Sequence, residues 1–172
     1  MADALATITR RDGFGMVTIR ADLDRSGDAI AEAAGLAIPG VTRITSDGSR
    51  SLGWMSPDEL LLILPAAETG AAIAALTGAL TGEHALVVDV SDARAVFDLT
   101  GPHAGDVIAK LSPADLDALP ADGLRRSRAA QTAAAFWRIE GGFRLIGFRS
   151  TAQYLDLILR NAALPGSQLA PR

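Results

Sequence analysis

The 172-residue sequence contains no cysteine. Disulfides, thiolate zinc sites, iron–sulfur clusters, cysteine nucleophiles and cysteinyl-linked flavin are therefore excluded. Histidine is almost absent, and Lys110 is the single lysine among sixteen basic residues. The longest apolar run, Leu60 to Leu64, is far below the length of a membrane span, and residues 1–12 show no signal-peptide pattern. These features predict a cytoplasmic globular protein.

The overall charge and hydropathy narrow the classes of partner. The formal net charge of −4 and a pI near 5.1 disfavour extensive binding to nucleic-acid phosphates. The mean hydropathy of +0.24 is high for so short a chain, although its many alanines contribute to it. Surplus apolar surface on a small protein often belongs to an interface, so a protein partner is favoured.

Periodicity and turn residues predict an α+β fold. Strands occur in adjacent pairs with one helix for every two or three strands, which is typical of mainly antiparallel sheets with helices packed on one side. The break near Gly82 predicts two small lobes, residues 1–82 and 83–164, followed by a flexible tail at 165–172. Length alone allows one substantial core or two small ones.

The two halves show an internal correspondence. Trp54 stands six residues before Leu60, and Trp137 stands six residues before Phe143. Both tryptophans are predicted to begin equivalent hairpins and to be largely buried. In an alanine-rich chain such matches also arise by chance, so duplication and coincidence both remain open.

Three local signals give specific boundaries. Ser26 is predicted to cap a helix that Gly35 ends, because serine accepts from free helix N–H groups and glycine adopts the left-handed C-terminal conformation. Gly101-Pro102 is predicted to open a helix through Leu111, since proline suits the first turn. Residues 129–139 read as one strand.

The inventory of reactive groups is small. His84 and His103 lack neighbours at metal-ligand spacing and are predicted to be solvated. Asp89 and Ser91 stand at a junction between strands, where a turn with side chains bonded to backbone donors is favoured over catalysis. The basic cluster at 125–128 reads as a solvated strand edge or a salt-bridged partner contact. We predict that the chain contains no catalytic, cofactor-binding or metal-binding residues.

An extended pattern, rather than a catalytic signature, carries a family resemblance. Residues 86–111, LVVDVSDARAVFDLTGPHAGDVIAKL, resemble the folate-binding aminomethyltransferase (glycine cleavage T-protein) fold group. Residues 127–163 resemble the gamma subunit of heterotetrameric sarcosine oxidase through Ala130-Gln131-Thr132 and Trp137-Arg138, and residues 53–65 also fit that family. The motif positions, all interpreted as structural, are Asp89, Ser91, Gly101, Pro102, Gln131, Thr132 and Trp137.

The resemblance implies a specific function. Heterotetrameric sarcosine oxidase demethylates sarcosine to glycine, reduces oxygen to peroxide and passes the one-carbon unit to tetrahydrofolate. Its alpha and beta subunits hold NAD, FAD, covalent FMN and the folate site, and its delta subunit holds zinc. The chain is therefore expected to be a non-catalytic structural or assembly subunit that binds no cofactor itself, with the alpha, beta and delta subunits as partners.

Two alternatives remain open at this point. The chain could be a gamma-like subunit of another flavin-dependent oxidoreductase complex, or a stand-alone folate-binding one-carbon protein. Whether the isolated chain associates with itself is also open.

Overall fold

The computed structural model describes residues 4–169. The strands within this range form two five-stranded antiparallel sheets, which confirms the predicted α+β class. In chain order the elements are β1 (Thr7–Arg11), β2 (Phe14–Arg20), α1 (Leu23–Ala34), β3 (Ile44–Ser46), β4 (Ser51–Ser56), β5 (Glu59–Pro65), α2 (Thr69–Ala79), β6 (Leu86–Asp89), β7 (Arg94–Thr100), α3 (Ala104–Leu111), β8 (Leu124–Ala129), β9 (Thr132–Ile139), β10 (Gly142–Phe148) and α4 (Ala152–Ala162).

The chain divides into two compact units, each with its own sheet and core. The first unit, residues 13–92, has the strand order β3-β4-β5-β2-β6 and contains α1 and α2. The second unit comprises residues 4–12 and 93–169, has the strand order β1-β7-β10-β9-β8, and contains α3 and α4. No helix within residues 4–169 is long and apolar enough to cross a membrane.

This division differs from the predicted one at residue 82. Strand β6 pairs with β2, with Arg20 opposite Leu86, so residues 86–89 belong to the first sheet. Strand β1 pairs with β7, with Thr7 opposite Thr100, so the start of the chain belongs to the second sheet. Local periodicity identifies a strand but not its neighbour, which is why the boundary could not be placed correctly. Residues 1–3 of the predicted first lobe and 170–172 of the predicted tail lie outside the described residues.

Both units repeat one topology. A strand, a helix, three strands and a second helix follow one another as β2-α1-β3-β4-β5-α2 and again as β7-α3-β8-β9-β10-α4. Equivalent strands occupy equivalent places in the two sheets, and the fifth place is filled by β6 in one and β1 in the other. The shared topology favours duplication over coincidence.

The two tryptophans lie on equivalent strands, β4 and β9, but differ in burial. Trp137 is 4% exposed, whereas Trp54 is only partly buried. A β-bulge between Trp54 and Ser56 shifts the register of the first hairpin. Trp54 therefore lies opposite Leu60, while Trp137 lies opposite Arg144.

Each unit buries apolar side chains between one face of its sheet and its two helices. In the first unit, Ile30 of α1 and Leu76 of α2 pack against the sheet, and in the second unit Val107 of α3 and Leu155 of α4 do so. All five residues of Leu60–Leu64, in β5, are buried. Each fully buried large apolar side chain contributes about 1.5–3 kcal/mol to folding.

The boundaries of two helices correct the sequence predictions. Helix α1 is capped by Asp22, whose Oδ1 accepts from the backbone N–H groups of Asp24 and Arg25, while Ser26 lies buried inside the helix. Gly35 ends the helix in the left-handed conformation, as predicted. Helix α3 begins at Ala104, so Pro102 belongs to the preceding turn and not to the first turn of the helix.

The predicted strand at 129–139 is the end of one strand and the whole of the next. Strands β8 and β9 form a hairpin in which Ala129 pairs with Thr132 across a two-residue turn. Ala130 adopts a φ of +53° in that turn. Two-residue hairpin turns usually carry Gly, Asn or Asp at such positions, and the Ala-Gln pair here gives no such signal.

Candidate functional site

Asp89 and Ser91 form a closed turn at the end of β6. The Ser91 backbone N–H donates to Asp89 Oδ1 at 2.9 Å, and the Ser91 hydroxyl donates to the same oxygen. These hydrogen bonds, the one from the hydroxyl first, hold the pKa of Asp89 below its usual value. Ser91 Oγ also accepts from the Met16 backbone N–H at 2.9 Å. The hydrogen bonds of these two motif residues therefore link the end of β6 to β2. Ser91 Oγ already accepts from one backbone N–H and donates to Asp89.

Gly101 and Pro102 form the junction between β7 and α3. Gly101 has a φ of +131°, which side chains disfavour, and a β-carbon there would approach the Leu5 carbonyl oxygen to 3.3 Å. Its N–H donates to the Gly141 carbonyl at 2.9 Å, and its carbonyl accepts from Ala104. The glycine therefore lets three segments of backbone meet at the start of α3.

The other three motif residues do not share one site. Gln131 is exposed in the β8–β9 turn. The Thr132 and Thr151 hydroxyl oxygens lie 3.1 Å apart, which links β9 to the turn before α4. Trp137 is buried in the middle of the sheet.

The motif glycine and proline line an open groove in the second unit, with a volume of about 950 Å³. Two charged side chains that line the groove, Arg138 and Asp115, bind backbone groups of its walls. Arg138 Nη2 donates to the Leu116 carbonyl at 2.8 Å, and its guanidinium lies 5.0 Å from the centre of the Phe143 ring. Asp115 Oδ1 accepts from the backbone N–H groups of Asp117 and Ala118. The side chains of Arg138 and Asp115 are therefore hydrogen-bonded to the protein backbone within the groove.

The two histidines lie in different units. His103, at the start of α3, is half exposed, and its Nδ1 lies 3.2 Å from Asp106 Oδ2. His84 lines a groove of about 920 Å³ in the first unit. There Arg20 pairs with Asp58 at 2.7 Å, and the Ser56 hydroxyl together with that arginine holds the pKa of Asp58 below its usual value. Across residues 4–169, three or more metal-ligating side chains do not come together.

Sequence reasoning missed one buried ionic group in the second unit. Asp98 of β7 is 5% exposed and pairs with Arg144 of β10, while Arg11 of β1 lies nearby. A signal was available, because Asp98 and Arg144 each interrupt an otherwise apolar strand. Their partnership depends on which strands are neighbours, which the sequence alone did not show.

The chain is similar to proteins of one family. Residues 21–164 match the model described as the sarcosine oxidase gamma subunit family. A sarcosine oxidase subunit gamma from Corynebacterium sp. (strain P-1) is 44% identical over 92 residues, covering 51% of this chain and 43% of the relative. One from Arthrobacter sp. is 37% identical over 116 residues, covering 64% and 56%. The matched part spans about half the length of these relatives.

Two solved structures resemble this chain. A chain of heterotetrameric sarcosine oxidase from Corynebacterium sp. U-96 superposes with a TM-score of 0.87 at 28% identity, covering 97% of this chain and 88% of that one. Glycine cleavage system aminomethyltransferase T from Bartonella henselae superposes with a TM-score of 0.67 at 18% identity, covering 92% of this chain and 46% of that one. The second likeness shows a shared fold.

Proposed function

The chain belongs to the sarcosine oxidase gamma subunit family, and from this premise we propose that it is a non-catalytic structural subunit of a heterotetrameric sarcosine oxidase. In this proposal the complex demethylates sarcosine oxidatively to glycine, with tetrahydrofolate as the one-carbon acceptor. The observation that carries the proposal is the match along nearly the whole chain to a chain of a heterotetrameric sarcosine oxidase.

The structural part of the proposal is supported by what the motif side chains do. Asp89 and Ser91 cap a turn, Gly101 allows a close backbone approach, and Thr132 links two elements. Each role stabilises the fold without presenting a free nucleophile or general base to a ligand. We therefore propose that FAD, FMN, NAD and zinc are held by the partner alpha, beta and delta subunits in a cytoplasmic complex.

Co-expression tests this proposal directly. The chain, carrying an affinity tag, is produced with the alpha, beta and delta subunits of the same organism, and a parallel culture omits it. We expect the tagged chain to retain the other subunits, flavin absorbance and sarcosine-dependent peroxide formation. Without the chain, we expect the yield of flavin-loaded complex to fall. Fully active, flavin-loaded oxidase in its absence would refute the assembly role.

A second measurement addresses the non-catalytic half of the proposal. The purified chain alone is tested for visible flavin absorbance and for zinc by metal analysis. We expect neither, and a stoichiometric flavin spectrum would contradict a non-catalytic subunit. Retention of a different flavoprotein in place of the sarcosine oxidase subunits would assign the chain to another complex.

A further inference from the structure

Strand β8 forms one edge of the sheet in the second unit. It pairs with β9 along its whole length, and within residues 4–169 its other side has no strand partner. An edge strand presents a row of backbone N–H and C=O groups that can accept a further strand. Strand β8 is thus an edge to which a further strand could be added.

The side chains of this edge are strongly basic. Strand β8 contains three arginines and no aspartate or glutamate, although the chain as a whole carries a net charge of −4. Strand alternation places Arg126 and Arg128 on one face of β8 and Arg125 on the other. Neither Arg125 nor Arg128 forms an ion pair with any described residue, and the enclosed Nε of Arg125 has no hydrogen-bond acceptor among them. The exposed guanidinium of Arg128 on one face and the half-buried one of Arg125 on the other are therefore suited to carboxylates of a partner.

The edge is also held in place before any partner binds. Leu124 and Ala129, at the two ends of β8, are both buried. The Ser112 hydroxyl donates to Ser127 Oγ at 3.2 Å, and the N–H of Ala130 donates to the Leu111 carbonyl at 2.7 Å. A fixed strand loses little conformational entropy on binding, which favours its use as an interface.

We propose that β8 is the docking edge for an acidic, extended segment of a partner subunit, which adds to the sheet as a sixth strand. Backbone hydrogen bonds would supply affinity, and carboxylates facing the arginines would fix the register. The inference rests on the proposed function and names the surface of this chain that takes part in assembly.

Charge complementarity selects this occupant over others. A second copy paired through its own β8 would set arginines against arginines, which is unfavourable across a sheet. Single-stranded nucleic acid would need exposed aromatic side chains among the arginines, and the β8 sequence LRRSRA has none. Charged residues also protect edges from unwanted pairing, so the test must separate docking from edge protection.

Charge reversal separates docking from simple edge protection. Arg128→Glu and Arg125→Glu are each co-expressed with the other subunits, and the amount of alpha, beta and delta subunit retained per tagged chain is measured at low and high salt. The matched control is Arg10→Glu on β1, an exposed arginine at the opposite edge of the same sheet. We expect at least about tenfold less retention for Arg128→Glu, and a change of less than about twofold for the control and for Arg128→Lys.

Hydrogen exchange provides an independent measurement on the unaltered protein. Amides of residues 124–129 should exchange at least about tenfold more slowly in the complex than in the isolated chain, while those of residues 7–11 should change little. Unchanged exchange at 124–129, or full retention of the subunits by both β8 variants, overturns the inference and leaves the proposed function standing. Failure of the wild-type chain itself to enter the complex would overturn both. Self-association of the isolated chain that Arg128→Glu abolishes would assign the edge to a second copy instead.

Discussion

Asp98 of β7 and Arg144 of β10 lie opposite each other on neighbouring strands and form a bidentate ion pair. Arg144 Nε lies 2.7 Å from Asp98 Oδ1, and Arg144 Nη2 lies 2.9 Å from Asp98 Oδ2. Arg11, on the other neighbouring strand, has its Nη1 3.4 Å from Asp98 Oδ2. One buried carboxylate thus links three strands of the second sheet.

Removing this carboxylate should strongly destabilise the second unit. Asp98→Ala removes a buried carboxylate from its pair with the partly buried Arg144 guanidinium, so we expect the free energy of unfolding to fall by about 3–5 kcal/mol. Chemical denaturation measures the change. Asp156→Ala, which removes an exposed pair with Arg160 in α4, is the matched control and should change stability much less. Equal costs for the two variants would contradict the buried role of Asp98.

The single lysine should stabilise the end of α4. Lys110 Nζ donates to the Ala162 carbonyl at 2.7 Å and to Ser167 Oγ at 2.8 Å. A cation bonded to the last carbonyls of a helix also interacts favourably with the helix dipole. We expect Lys110→Met to lower the free energy of unfolding by about 1–3 kcal/mol and Ser167→Ala to lower it less. A Lys110→Met chain with wild-type stability would exclude this role.

Two non-glycine residues with positive φ should be sites of stabilising substitution. Thr42 has a φ of +59° and Ala130 a φ of +53°. The left-handed conformation costs a residue with a β-carbon roughly 1–2 kcal/mol, so glycine should relieve strain at both positions. We expect Thr42→Gly and Ala130→Gly to raise the melting temperature. Ala133→Gly, in an ordinary strand position of β9, should lower it and serves as the control.

The glycine at the start of α3 should be far less replaceable than the proline after it. Gly101→Val places a branched side chain at a φ of +131° and against the Leu5 carbonyl. We expect a loss of about 1–3 kcal/mol, measured by thermal melting. Pro102 lies in an exposed turn before the helix, so Pro102→Ala should change stability only slightly. Equal melting temperatures for the two variants would contradict this account of the junction.

The Asp89 turn should make a contribution to stability that depends on pH. The Ser91 hydroxyl and backbone N–H lower the pKa of the folded-state carboxyl below that of the unfolded chain. The stabilisation is therefore complete above the unfolded-state pKa, near 4, and is lost as the pH falls through the lower folded-state pKa. The difference in melting temperature between the wild type and Asp89→Asn should be largest near pH 7 and shrink below about pH 4. A difference that stays constant from pH 7 to pH 3 would rule out this linkage.

The sequence by itself determined the fold class and the local elements whose signals are short-range. Paired strands with few helices predicted the α+β class of mainly antiparallel sheets, and Gly35 predicted the end of α1. These features depend on backbone preferences and side-chain periodicity within a few residues. The family resemblance likewise followed from motif residues along the chain.

Tertiary structure alone decided which distant segments became neighbours. Strand β1 fills the place in the second sheet that β6 fills in the first, and only that pairing brings Arg11 close to Asp98. The sequence already indicated a strand edge or a partner contact at the basic residues 125–128. It did not show that β8 and β9 are separate strands, because the Ala130–Gln131 turn between them carries no typical turn residue. Strand partnership, register and ion pairing join positions that lie tens of residues apart, so no local window of sequence contains them.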